Sequence, residues 1–190
     1  DPYLINTSRK ETREYNYGTR FAYDGILGSG FNFSYAFSRV DVNVDDIGDR
    51  FNDLERDGYV HNADVAYDFQ LGKTMTLSPG FELSIGDIDG DANAYTGYRF
   101  GLGFRKFSKH YQLMLNAAVG WDDYDDQHPV FAKTRNDTKY SLFGMFTRSD
   151  LFGREYLLAT LMAGYRYRDS NIGFLNAQTV LGGAMIGIEF

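Results

Sequence analysis

Asp87-Ile88-Asp89-Gly90-Asp91-Ala92-Asn93 puts oxygen donors at every second position. A hard cation needs several carboxylate and amide oxygens at once, so Asp87, Asp89, Asp91 and Asn93 are candidate cation ligands. The likeness to a calcium loop stops there: Ala92 stands where the sixth-position glycine belongs, and Tyr98 where the bidentate acid at position twelve would be. A solvated acidic loop is the plainer reading, and neither a resident metal nor another cofactor is expected. The histidines are His61, His110 and His128, and none has a serine spaced as an activated nucleophile would be. A protease-like arrangement of Asp125, Asp126 and His128 is the catalytic alternative. With no cysteine in the chain, thiolate metal sites, cysteine nucleophiles and disulfides are excluded. The reading is therefore not an enzyme.

A different chemistry emerges from charged and amide residues that recur at alternate positions opposite apolar ones. Arg20, Asp64, Asp68, Glu82, Arg99, Arg105, Gln112 and Asn116 are predicted to share one face, with Asp24 and Asp122 continuing it. Groups of both signs facing one another across a narrow space either line water or pair into a filled interior. In the last strands the same face includes Phe143 or Met145, with Leu158, Met162, Leu181 and Met185, so one sector is apolar; such a sector suits an acyl chain or hydrophobic solute, and more often packs a plug or neighbouring strand.

These residues need strands to position them. Tyr111, Leu113, Leu115, Ala117, Val119 and Trp121 are apolar at every odd position, the period of a strand. The alternation recurs from Phe31 to Ser38, Ala63 to Leu71, Met75 to Ile85, Tyr98 to Arg105, Leu157 to Tyr167 and Val180 to Phe190, with further strands at about Tyr15 to Asp24 and Lys139 to Arg148. That makes nine, and a tenth is expected over Pro2 to Arg9. The apolar face is rich in aromatics, while the other carries Gly, Ser, Asn, Asp and Arg in place of the Lys, Glu and Thr of a soluble sandwich. Segments of ~10 to 14 residues at ~3.3 Å each, tilted by ~40°, cross a ~25 Å apolar band.

The 190 residues therefore read as a single domain over 1–190, an all-β, antiparallel transmembrane β-barrel of about ten strands. An eight-stranded barrel and the C-terminal part of a larger one are the alternatives. Tyr 15 and Phe 16 against Pro 3, with Gly 21, suit long aromatic strands relieved by glycine. No apolar run approaches the ~18 to 20 residues of a membrane helix, and no leader opens the chain at Asp1. With 26 acidic against 19 basic residues and a net charge of -7, a nucleic-acid partner is not expected. The connections at 45–58, 87–94 and 122–137 are acidic, and that at 169–176 also belongs to the long side; the opposite side is short and basic. The long side is expected to face out and the short side the periplasm. Asp122 to Asp126, beside Trp121 and Tyr124, suits divalent cations that bridge lipopolysaccharide.

The ending Ile186-Gly187-Ile188-Glu189-Phe190 resembles the terminal signature of bacterial outer-membrane proteins. That resemblance implies that Phe190 is the membrane-assembly signal, and that the partners are outer-membrane lipids, lipopolysaccharide, the barrel-assembly machinery and other envelope proteins. Lys133-Thr134-Arg135-Asn136-Asp137 and Tyr165-Arg166-Tyr167-Arg168-Asp169-Ser170-Asn171-Ile172 give the last third a resemblance to surface lipoprotein assembly modifiers and to porin-type barrels of exopolysaccharide export. Those families carry more strands than this chain supplies. The function expected is that of a porin-like transport barrel in the outer membrane of a Gram-negative bacterium, passing small solutes or polymer. A structural or adhesive barrel with a filled lumen, and a lipid-acting outer-membrane enzyme, are the alternatives.

Overall fold

Period-two alternation does become strands. A computed structural model describes residues 14–25, 30–42 and 55–188. Among these it contains β1 (Glu14–Tyr23), β2 (Phe31–Val42), β3 (Gly58–Tyr67), β4 (Phe69–Gln70), β5 (Met75–Ile88), β6 (Tyr95–Phe107), β7 (Tyr111–His128), β8 (Lys133–Leu151), β9 (Arg154–Ser170) and β10 (Ala177–Ile188). A single turn of 3-10 helix, Gly173–Leu175, precedes β10. All ten strands form one antiparallel sheet in chain order, with β4 paired to β5 beside β3. β3 and β4 are one run broken at Asp68, whose N–H turns to the Gly30 carbonyl at 2.7 Å. Ten segments thus make nine full crossings among the described residues. The tenth crossing expected over residues 2–9 lies outside them, as does Phe190.

Nine alternating crossings have a geometric result: β1 and β10, the two edges, run in the same direction. No ladder joins them among the described residues, and both are exposed along nearly their whole length.

Register fixes the faces, because residues directly opposite in an antiparallel pair project to the same side. One row across the sheet reads Phe33, Val65, Phe81, Phe100, Val119, Tyr140, Tyr167. The row starting one residue along β2 reads Ser34, Asp64, Glu82, Arg99, Gly120, Lys139, Arg168. Burial is the reverse of a soluble protein's. Ser34, Thr76, Asp122, Asp137, Thr160 and Ser170 are buried, whereas Phe21, Phe100, Leu142 and Ile186 are exposed, Ile186 at 78%. Among the described residues the buried apolar side chains are small or moderate, Val42, Ala92, Ala94 and Ile172, and no large one is fully enclosed. The sheet therefore curls toward its polar face and turns its aromatics outward, where cross-strand pairs such as Phe81 with Phe100, 5.0 Å between centroids, hold them against one another.

Two features differ from the sequence reading. Residues 122–137 were expected to be a long loop, but β7 runs to His128 and β8 starts at Lys133, leaving only residues 129–132 as the connection. The ladder shifts between Asp123 and Gln127 and then resumes with Gln127 opposite Thr134. Beyond Trp121 neither face is apolar, so the alternation that betrays a strand vanishes while its hydrogen bonds continue. The strands are also longer than expected, 18 residues in β7 and 19 in β8. About 9–11 residues suffice to cross a bilayer core. At the other end Phe152 and Gly153, at φ 55° and 70°, close β8 onto β9. Positive φ at both central residues is what a two-residue hairpin needs to match strand twist.

Candidate functional site

The sequence-predicted lumen residues come together on the polar face as a chain of paired charges. Asp64 and Glu82 are register partners, two carboxylates directly opposite each other, an arrangement that destabilises a sheet unless each finds a donor. Both do. The Ser34 hydroxyl donates to Asp64 Oδ2 at 2.9 Å and itself accepts from Arg20 at 3.1 Å. Arg99 reaches Glu82 Oε2 at 3.0 Å. Asp68, at the break between β3 and β4, accepts from the Ser78 hydroxyl and, at 3.0 Å, from Arg105. The Arg99 and Arg105 side chains are 45% and 40% exposed, so these pairs sit in a wet setting. Asn116 lines a cavity of about 490 Å³ with Asp24, Asp68 and Arg105. Gln112 lies further along β7, opposite Thr147 of β8.

A second cluster, tighter and drier, sits where β7 and β8 outrun their neighbours. Asp137 has a fully buried side chain, gripped by Arg135, whose Nε is 3.0 Å away, and approached by Arg168 at 3.8 Å. Its register partner Asp122 is paired with Lys139. Gly97 makes room for this: a Cβ there would fall 2.7 Å from Asp122 Oδ1. The Arg135 guanidinium lies 4.3 Å from the Tyr124 ring centroid, and Tyr124 packs on Tyr95 at 5.6 Å. Burial pushes the Tyr124 phenol well above its ordinary range, with Arg135 pulling the other way. Of this cluster, sequence reasoning placed only Asp122 on the polar face. The alternation Tyr165-Arg166-Tyr167-Arg168 was the available signal for the rest, since it sets two arginines opposite two tyrosines.

The other candidates are more dispersed. Asp87 is the penultimate residue of β5, opposite Tyr59, the Asp89 N–H donates to the Asp57 carbonyl, and the Asn93 amide nitrogen donates to the Glu55 carbonyl at 2.9 Å. Among the described residues no three carboxylate or imidazole groups converge as a metal would require. His61 is on the aromatic face, where its Nδ1 meets the Tyr35 hydroxyl at 2.7 Å. His110 faces Asp150 across 3.6 Å at the short-turn end. His128 ends β7, and its ring nitrogen accepts from the Val130 N–H at 3.3 Å. Asp126 caps the Gln127 N–H.

No curated protein and no solved structure matches the chain. The likeness of its last third to surface lipoprotein assembly modifiers and export porins therefore rests on the quoted residues alone. One family model, described as "Protein of unknown function (DUF2860)", matches residues 1–190, the whole sequence. The chain, an all-β protein built on one antiparallel sheet whose shielded face carries rows of paired charges, belongs to the DUF2860 family.

Proposed function

We propose that this protein is an integral β-barrel of the Gram-negative outer membrane and acts as a passive pore or export-associated channel for small solutes or polymer. The observation that carries the proposal is the inverted burial: aromatic and aliphatic side chains cover the exposed face, while Ser, Thr and Asp are the shielded ones. In water such a surface would be a very large apolar patch; in lipid it is the outward band of a barrel. No helix among the described residues is long and apolar enough to cross a membrane, and strands of 10 residues or more supply the span instead. The partners of this reading are outer-membrane lipids, lipopolysaccharide and the barrel-assembly machinery, and it involves no catalytic step.

A second reading, a structural or adhesive surface barrel with a filled lumen, draws on the Asp137–Arg135 pair, whose side chains are shielded and paired. Planar-bilayer recording separates the two. A pore conducts, and Arg99→Ala shifts its preference toward cations by removing a positive wall charge. Because the Arg99 side chain is 45% exposed, its pair with Glu82 contributes about 0–1 kcal/mol, so selectivity should move with little loss of stability. Silent bilayers from protein that is verifiably inserted would leave the filled-lumen reading standing.

A further inference from the structure

The paired charges leave one sector of the polar face apolar. Met114, Met145 and Met162 are successive register partners on β7, β8 and β9, and Met185 of β10 lies opposite Thr160, two positions from Met162. Four of the five methionines thus line one patch of the face that elsewhere carries the paired charges. Phe143 and Leu181 flank Gly164 in the adjoining row, where a Cβ would meet Leu181 Cγ at 2.9 Å. The next row is Ser141, Arg166, Thr179.

Two cavities of about 400 Å³ each meet at Arg166. One extends over Phe143, Gly164 and Leu181, the other toward Lys139 and Arg168. Lys139 and Arg168 have carboxylate partners in Asp122 and Asp137. Arg166 has none: among the described residues its guanidinium makes no ion pair or hydrogen bond. A guanidinium uncommitted among the described residues, between a cavity whose other cations are already paired and one that extends over Phe143 and Leu181, is matched by a molecule that has an anion at one end and a hydrocarbon at the other.

We propose that this sector binds a single-chain amphiphile with an anionic head, the head at Arg166 and the chain over Phe143, Leu181 and the methionines. A planar guanidinium takes a carboxylate or phosphate through two parallel hydrogen bonds. Methionine surfaces adapt to a flexible chain without directional demands. The inference deepens the pore reading and rests on it, because it needs the polar face to be an enclosed lumen. Fatty-acid carboxylates and lysolipid phosphates share the chemistry, and the probes below tell them apart.

The test uses the full chain in phosphatidylcholine nanodiscs, titrated with dodecanoate, dodecyl phosphate, butyrate and dodecyltrimethylammonium, with a spin label at Leu115, on the opposite face from the site, reporting insertion on the same preparation. The expected result is saturable binding of one dodecyl anion per chain, at least tenfold weaker in Arg166→Gln. Butyrate binds at least tenfold more weakly than dodecanoate, and the cationic amphiphile does not compete. The tighter of the two dodecyl anions identifies the head group. Arg166 is exposed and has no partner among the described residues, so the variant is expected to fold. Binding that is unchanged in Arg166→Gln, equal for butyrate, or absent while Leu115 reports lipid overturns the site and leaves the barrel intact. A Leu115 label in water overturns both.

Discussion

At the scale of single residues the decisive contrast is between wet pairs and the dry one. Arg99 with Glu82 and Arg105 with Asp68 have solvent at hand, whereas the Asp137 carboxylate has no exposure and the Arg135 side chain only 13%. Removing one partner of a dry pair strands the other, at a cost of about 3–5 kcal/mol. Asp137→Asn is therefore expected to lower the urea midpoint sharply, while Glu82→Gln barely moves it. Tyr124 lies past Trp121, among the acidic residues beyond the aromatic face, and gives a pH signature. Its phenol stays neutral in the fold but ionises in the unfolded chain, so its contribution is intact below about pH 10, the ordinary tyrosine value. It is lost as pH rises toward the elevated folded value. Spectrophotometric titration of the native protein is expected to show one more late-ionising tyrosine than that of Tyr124→Phe. If parent and variant show the same late-ionising amplitude, the burial assigned to this ring is wrong.

At the scale of strands the two faces make opposite demands. Leu83, Leu102, Leu115 and Leu161 lie on the aromatic face; Glu82, Arg99, Asn116 and Thr160 lie on the polar one. On the membrane-spanning reading proposed above, Leu115→Arg is expected to cost about 2–4 kcal/mol near mid-membrane, and Asn116→Arg, one residue along, much less; folding into lipid vesicles under urea measures the difference. Strands and their faces were legible in the sequence wherever one face was apolar, because a period of two needs contrast to be visible. Legibility failed where contrast did. Leu142 to Phe146 is apolar on both faces apart from Gly144, so only the pairing of Phe143 with Asn116 and of Met145 with Met114 assigns that strand's direction. The Asp137 cluster draws on β7, β8 and β9, and apart from Arg135, two residues away on the same strand, its members become neighbours only through register, which no local pattern encodes. Residues 122–137 hid a continued ladder because charge occupied both sides. The ionic row from Asp64 to Arg105 was readable, since each member sits opposite an aromatic or aliphatic residue of its own strand.

At the scale of the molecule, assembly is set by the edges. Phe190 lies outside the described residues; if it is the signal that its resemblance implies, replacing it with Asp should abolish insertion in cells, while Phe152→Asp, at a turn residue that is 92% exposed, should be tolerated. Equal insertion of both variants would remove Phe190 from that role. β1 and β10 run the same way, so an antiparallel ring requires an odd number of further strands between them, and the single strand expected over residues 2–9 meets that requirement. The same parity governs self-association. Copies inserted in one orientation can bring β1 of one against β10 of another only as parallel neighbours, with slanted and somewhat weaker hydrogen bonds. Exposed edges ordinarily invite sheets to merge; here the odd number of crossings among the described residues withholds the antiparallel seam, so the sheet they form is biased against fusing with a neighbour.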